Sequence, residues 1–263
     1  MRKLFLKIFG EHPATDATKM TMFSWHHILY LILIIGTIVL LTILFNKKEQ
    51  SKKEKLLKII SILLLVVYLG DFFIQPFYNG GTMDANGELI LDKFPFHICT
   101  VLCPLIIFSK YCSFAKPIKT PVVVLSIIAP LMWLIFPGTA LNSSQSAFSY
   151  EVIQLFVYHG LVFMYGCLAL LLKETALDIK KVYKEACCIV GIALWATLGN
   201  LLYSSTDHDY NWFFLKDPVF GFIPKAINPF VVIIIFYLSC LLVYGIYYLI
   251  KKIKNQKVVE ASK

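Results

Sequence analysis

From Trp25 to Phe45 the chain runs for 21 residues without an Asp, Glu, Lys or Arg. At ~1.5 Å of rise per residue, a helix of that length crosses the ~30 Å hydrocarbon core of a bilayer. The pattern recurs: further apolar segments lie at about 56–78, 94–109, 121–136, 150–172, 186–203 and 228–250. With 58% hydrophobic and only 16% charged residues, lipid must serve as the solvent for most of this surface. The expected fold is all-α, a polytopic membrane helical bundle of about seven transmembrane helices occupying 24–250. Residues 1–23 precede it as an interfacial segment, where Leu4, Phe5, Ile8 and Phe9 recur at helical spacing beside basic residues. They contain no apolar run long enough for a cleavable signal peptide. Residues 251–263 form a basic tail.

Net charge is +9, and Arg2 is the single arginine among 25 basic residues. A nucleic-acid partner would call for arginine on one face, whereas these lysines punctuate the apolar segments, so nucleic acid is excluded as a partner. The first, third and fifth loops and the tail hold 18 lysines, and the remaining segments hold the other seven basic residues. By the positive-inside rule the lysine-rich loops face the cytoplasm, with the N-terminus outside and the C-terminus inside. The setting is the plasma membrane, crossed many times, and membrane lipids are the expected partners. The third and fourth segments are short for two crossings. They form either two full spans, which is favoured, or a re-entrant hairpin around 110–120.

Polar residues inside such segments need a reason, because a central charge costs ~2.5–3.5 kcal/mol on insertion scales. Tyr68, Asp71, Gln75 and Tyr78 form one helical stripe in the second span. In the fifth, Glu151 and His159 share a face, with Gln154 and Tyr158 on the adjoining one. Asn200 near the end of the sixth span and Asn211 in the sixth loop join them. Asp71, Gln75, Glu151, Asn200 and Asn211 are the candidate binding residues, against the alternative that they only tie helices together.

The stretch FPFHICTVLCP, Phe94 to Pro104, concentrates the chemistry. Pro95 suits the first turn of a helix. His97 and Cys99 would then lie ~200° apart around that helix and face different sides. A thiol inside lipid needs a histidine or a helix N-terminus to favour the thiolate, so the partner of Cys99 would come from elsewhere, with His159 the natural candidate. Pro104 removes a backbone donor and is expected to kink the helix there. Each of the seven cysteines lies in or beside an apolar segment, which points to reduced, buried thiols rather than a disulfide framework. Cys99 as a small hydrophobe remains open. The spacing supports neither a metal nor a haem, and the seventh span offers no lysine for a retinal, so no cofactor is expected.

Three blocks resemble the YwaF-like family of bacterial integral membrane proteins: FPFHICTVLCPL (Phe94 to Leu105), the loop and span from Leu134 to Gly160, and DYNWFFLKDP (Asp209 to Pro218). That family is distantly similar to a eukaryotic multi-pass acyltransferase that remodels ether phospholipids. The resemblance implies a membrane-embedded acyltransferase with Cys99 as nucleophile, His159 as base and His97 assisting or holding the third helix. Thr100 follows Cys99 where the eukaryotic motif has histidine, and Tyr210-Asn211 reverses the usual order. The alternative function is a non-enzymatic, proton-coupled or small-solute binding and transport protein with a polar intramembrane pocket.

Overall fold

The computed structural model describes residues 8–10, 12–74, 94–142, 144–203, 210–218 and 221–261. Its long elements are all helical: α1 (Trp25–Asn46), α2 (Gln50–Ile74), α3 (Ile98–Tyr111), α4 (Lys119–Ile135), α5 (Tyr150–Leu171), α6 (Tyr183–Leu202) and α7 (Asn228–Ala261). Among the described residues five stretches are long and apolar enough to cross a membrane: Trp25–Asn46, Ser113–Ile135, Tyr150–Leu171, Ile179–Leu202 and Asn228–Ile253. Ile98–Tyr111 is a shorter apolar helix. The protein is an integral membrane protein, its outer face carrying apolar side chains such as Ile43, Val66, Leu201 and Leu242.

Successive helices run antiparallel. At one end the start of α1 meets the end of α4, where His27 Nε2–H donates to the Leu134 carbonyl at 2.8 Å. His27 Nδ1 accepts the Phe23 N–H, so one buried imidazole caps a helix end and fixes the chain entering α1. At the other end the 3₁₀ turn Ser113–Ile118 joins α3 to α4 beside the α5–α6 loop. The 94–136 region thus forms an antiparallel pair of helices, of 14 and 17 residues.

The centre of the bundle is α5, packed against α4, α2 and α1. Close approach to α4 depends on Gly166, where an added Cβ would lie 2.9 Å from the Val123 carbonyl oxygen. Small residues matter here because lipid offers no hydrophobic drive between helices, leaving van der Waals packing to hold them.

Several boundaries differ from expectation. Helix α3 begins at Ile98 rather than near Pro95, because Phe94–Phe96 make a turn closed by the Phe96 N–H on the Phe94 carbonyl. Helix α7 continues through the basic tail to Ala261. Of the expected interfacial helix only residues 8–9 are helical among those described. The chain from Pro13 to Lys19 instead makes isolated bridges to Gln145 and Ser146. Gln75 and Tyr78 lie outside the described residues.

One carboxylate gathers the lysine-rich end. Lys173, at φ 62°, closes α5 in the left-handed conformation and turns the chain so that Glu174 points inward. Glu174 Oε1 accepts from Lys110 Nζ at 2.7 Å and Lys119 Nζ at 2.9 Å, and Oε2 accepts from Gln50 at 3.2 Å. The Glu174 and Lys110 side chains are 7% and 5% exposed. Burial alone would raise the Glu174 pKa, but the hydrogen bonds and charges of the two lysines outweigh it and hold the group below its usual 4.5. A depressed folded pKa means that the cluster stabilises fully above the unfolded value and loses that contribution as pH falls through the folded one. Glu174→Gln leaves two lysines without their shared counter-charge and is expected to cost ~3 kcal/mol, read as a lower Tm in detergent. The variant is also expected to lose the acid-side decline in Tm below pH 4.5. An unchanged Tm and acid limb would refute this role.

Candidate intramembrane site

The FPFHIC stretch is fixed by aromatic contacts before it becomes helix. Phe96 packs into a notch at Gly199 of α6, where a Cβ would come within 2.5 Å of its ring. Its ring stacks on Trp195 at 5.1 Å and lies 4.8 Å from Trp212. Trp195 Nε1–H donates to the Pro95 carbonyl at 2.7 Å. These anchors determine where α3 can start.

His97 is therefore the N-cap of α3, with extended backbone, and Cys99 is the second helical residue. The expectation that the two point to opposite sides of one helix is corrected, because His97 lies outside the helix. Its Nδ1 accepts the Cys99 backbone N–H at 3.5 Å, a long bond, and its ring meets Phe214 edge-on. An imidazole here does the work usually given to Ser, Asp or Asn. With Nδ1 accepting, the neutral ring carries its proton on Nε2.

Cys99 is buried, as is Cys103 one turn on. From α5, Tyr158 reaches this turn, its hydroxyl donating to the Cys99 carbonyl at 2.8 Å. Its ring lies 5.9 Å from that of Tyr68 on α2. His159 occupies the adjoining face: it stacks on Trp133 of α4 at 3.8 Å, and its Nδ1–H donates to the Leu155 carbonyl. The ring that approaches the Cys99 turn from α5 is thus Tyr158, while His159 lies against α4. Sequence pattern placed Tyr158 only on a neighbouring stripe. Its specific partner is a backbone carbonyl, which leaves no mark in sequence.

The remaining candidates fall into two groups. Asp71, 1% exposed at the last turn of α2, lies close enough to Tyr150 at the start of α5 to interact electrostatically, and Glu151 follows, half-buried. Asn200 and Asn211 engage backbone instead. Asn200 accepts the Trp212 N–H at 2.9 Å and donates to the Trp212 carbonyl at 3.2 Å. Asn211 accepts the Lys216 and Asp217 N–H groups and donates to the Asp217 carbonyl. Asn228 donates to the Phe214 and Leu215 carbonyls. Together they hold Phe213 and Phe214 at φ 59° and 54°, a left-handed backbone that residues with a Cβ adopt only under constraint. Among the described residues no group of His, Cys, Asp or Glu could hold a metal ion.

Two buried polar groups were not expected from sequence. Glu185 of α6 accepts the Tyr244 hydroxyl of α7 at 2.7 Å. Its Oε2 has no hydrogen-bond partner among the described residues. His26, whose ring lies 3.8 Å from that of Trp25, has none among them at either ring nitrogen. Glu185 directly follows Lys184 of a lysine-rich loop, so it reads in sequence as surface.

A family model described as the TMEM164 family matches residues 22–250, and the chain belongs to that family. No curated protein matches the chain, and no solved structure does.

Asn200→Ala removes both bonds to Trp212 and leaves a buried N–H and carbonyl unpaired, an expected loss of ~2 kcal/mol. Asn200→Asp keeps the acceptor and is expected to lose less. Thermal melts followed by tryptophan fluorescence check the order, and equal stability of all three proteins would refute it.

Proposed function

We propose, taking membership of the TMEM164 family as the premise, that this protein acts on membrane lipids by moving an acyl group through a thioester on Cys99. The observation that carries the reading is the position of Cys99. It is buried in the first turn of α3, held there by the His97 cap and the Tyr158 hydroxyl.

In the first step the thiolate attacks the carbonyl carbon of a lipid ester. The C–S bond forms, the C–O bond breaks, and the leaving alkoxide takes up the thiol's proton. In the second step the hydroxyl of an acceptor lipid attacks the thioester. A C–O bond forms, the C–S bond breaks, and the hydroxyl's proton returns to the thiolate by way of the base. The acyl carbon keeps its oxidation level, so the exchange needs no cofactor. The base in this reading is His159: with Nδ1–H bound to Leu155, its neutral ring carries the lone pair on Nε2. Tyr158 joins the set because its hydroxyl lies at the Cys99 turn, and His97 positions that turn. Asp71, Gln75, Glu151, Asn200 and Asn211 are the binding residues of the reading.

A phospholipid with an alkyne-tagged acyl chain is expected to leave a hydroxylamine-sensitive label on the wild type and none on Cys99→Ala. His159→Gln is expected to slow turnover ~10²-fold, the usual loss of a general base. Lipid turnover unchanged in Cys99→Ala overturns the reading. Solute uptake by reconstituted vesicles that survives Cys99→Ser and fails with Asp71→Asn would replace it with transport through a polar pocket.

The same reading has the chain cross the plasma membrane seven times, α3 included, with the N-terminus outside. Epitope tags at the two termini of intact cells are expected to be accessible at the N-terminus alone, and a C-terminal tag exposed outside would overturn the orientation.

A further inference from the structure

Helix α3 has two working faces. Cys99, Leu102, Cys103 and Ile106 point into the bundle, whereas Val101, Pro104, Leu105 and Phe108 line a groove of about 700 Å³ between α3, α4 and α6. That volume falls within the ~300–1,000 Å³ of ordinary ligand sites. The far wall is α6, with Cys187, Gly191 and Ile192, and Trp195 stands near one end beside Pro95. The lining is almost wholly apolar, and no Asp or Glu is part of it.

The other end is different in kind. Tyr183 and Lys184 close it from α6, and Pro117 and Ile118 of the 3₁₀ turn with Pro121 of α4 close it from the other side. Here two helices begin side by side, each continuing from a 3₁₀ turn, Ser113–Ile118 before α4 and Ile179–Lys181 before α6, whose carbonyls take the Lys119 and Val182 N–H groups. The positive ends of the two helix dipoles still meet here and favour an anionic group. Lys184 adds a full charge, and exposed Lys116 and Lys180 flank the same end. Lys119 is not available, being held by Glu174, and Glu185 is turned away toward Tyr244. Asp178 pairs with Lys181 rather than with Lys184. An apolar trough ending in an excess of positive charge matches one class of membrane molecule.

We propose that this groove binds an anionic phospholipid, one acyl chain lying along α3 and α6 and the phosphate held at Lys184 between the starts of α4 and α6. The site is distinct from Cys99, lies on the opposite face of α3, and does not depend on the acyl-transfer reading. It would fix α6, which carries the Gly199 notch, against α3.

Cys187 provides the test, because it lines the groove and is the one exposed cysteine among the described residues. The full-length protein is reconstituted into vesicles of phosphatidylcholine alone or with phosphatidylglycerol, and maleimide addition at Cys187 is followed by peptide mass spectrometry. Phosphatidylglycerol is expected to slow alkylation about fivefold, the effect of one lysine–headgroup attraction near a membrane surface. Lys184→Gln is expected to abolish that difference. Gly191→Trp fills the trough at a position where a Cβ meets nothing within 4 Å, and is expected to abolish it too. Retention of the wild-type Tm in both variants shows that they fold. Equal rates in the two vesicle types, or a difference that survives Lys184→Gln, overturns the proposal. If a variant melts early, lipid retained by the wild type through detergent exchange decides instead: preferential recovery of phosphatidylglycerol over phosphatidylcholine supports the site, and no preference overturns it.

Discussion

The Glu174 carboxylate binds more of this fold together than any other single group. It sits in the loop after α5, yet it takes hydrogen bonds from the first residue of α2, the last turn of α3 and the first residue of α4. Four segments separated by up to 124 residues in sequence meet on one side chain. A lone carboxylate nearly out of solvent would be costly, and two lysines crowded together would repel. Placing them together lets each offset the other's desolvation. The arrangement also decides the register of the bundle, since α3 and α4 must turn back at the height where their lysines reach Glu174.

At the opposite end, polar side chains perform the corresponding task by holding backbone rather than charge. His27 holds the end of α4 to the start of α1, and Tyr158 holds the first turn of α3 to α5. Asn200 and Asn228 hold a strained aromatic loop to α6 and α7. In hydrocarbon an unpaired carbonyl costs several kcal/mol, so each helix end that lies away from water needs a donor from a neighbouring helix. The polar residues that look functional in a membrane sequence are drawn from the same set that satisfies this requirement.

That overlap explains how much could be known from sequence. The all-helical membrane architecture was legible because lipid imposes long uncharged segments, and Trp25 to Phe45 alone required one. The start of α3 was not legible. Pro95 is a good first-turn residue, but Phe96 must enter the Gly199 notch, a tertiary demand that delays the helix to Ile98 and makes His97 a cap. The bond from Tyr158 to the Cys99 carbonyl was not legible for a similar reason. Tyr158 and His159 are adjacent in the chain and ~100° apart on the helix. Only the packing of α5 between α2 and α4 turns the Tyr158 hydroxyl to that carbonyl. Glu174 was hidden by context, an acid in a loop that also holds Asp178 and several lysines, where pairing with solvent is the ordinary outcome.

The division of polar residues by what they already hold gives a physical basis for ranking sites. Asn200 and Asn211 have both amide functions engaged with backbone in the aromatic loop, so a ligand there would have to replace bonds that keep Phe213 and Phe214 in a left-handed conformation. The Cys99 thiol is differently placed. Its backbone N–H and carbonyl are taken by His97 and Tyr158, and these two contacts fix the position of the sulfur without engaging it. A side chain held through its backbone, in the first turn of a helix and away from water, retains its own chemistry. This is the ground on which the proposed reaction is assigned to the FPFHICTVLCP stretch: its apolar anchors, Phe96 and Pro95, position the turn, and its histidine caps it.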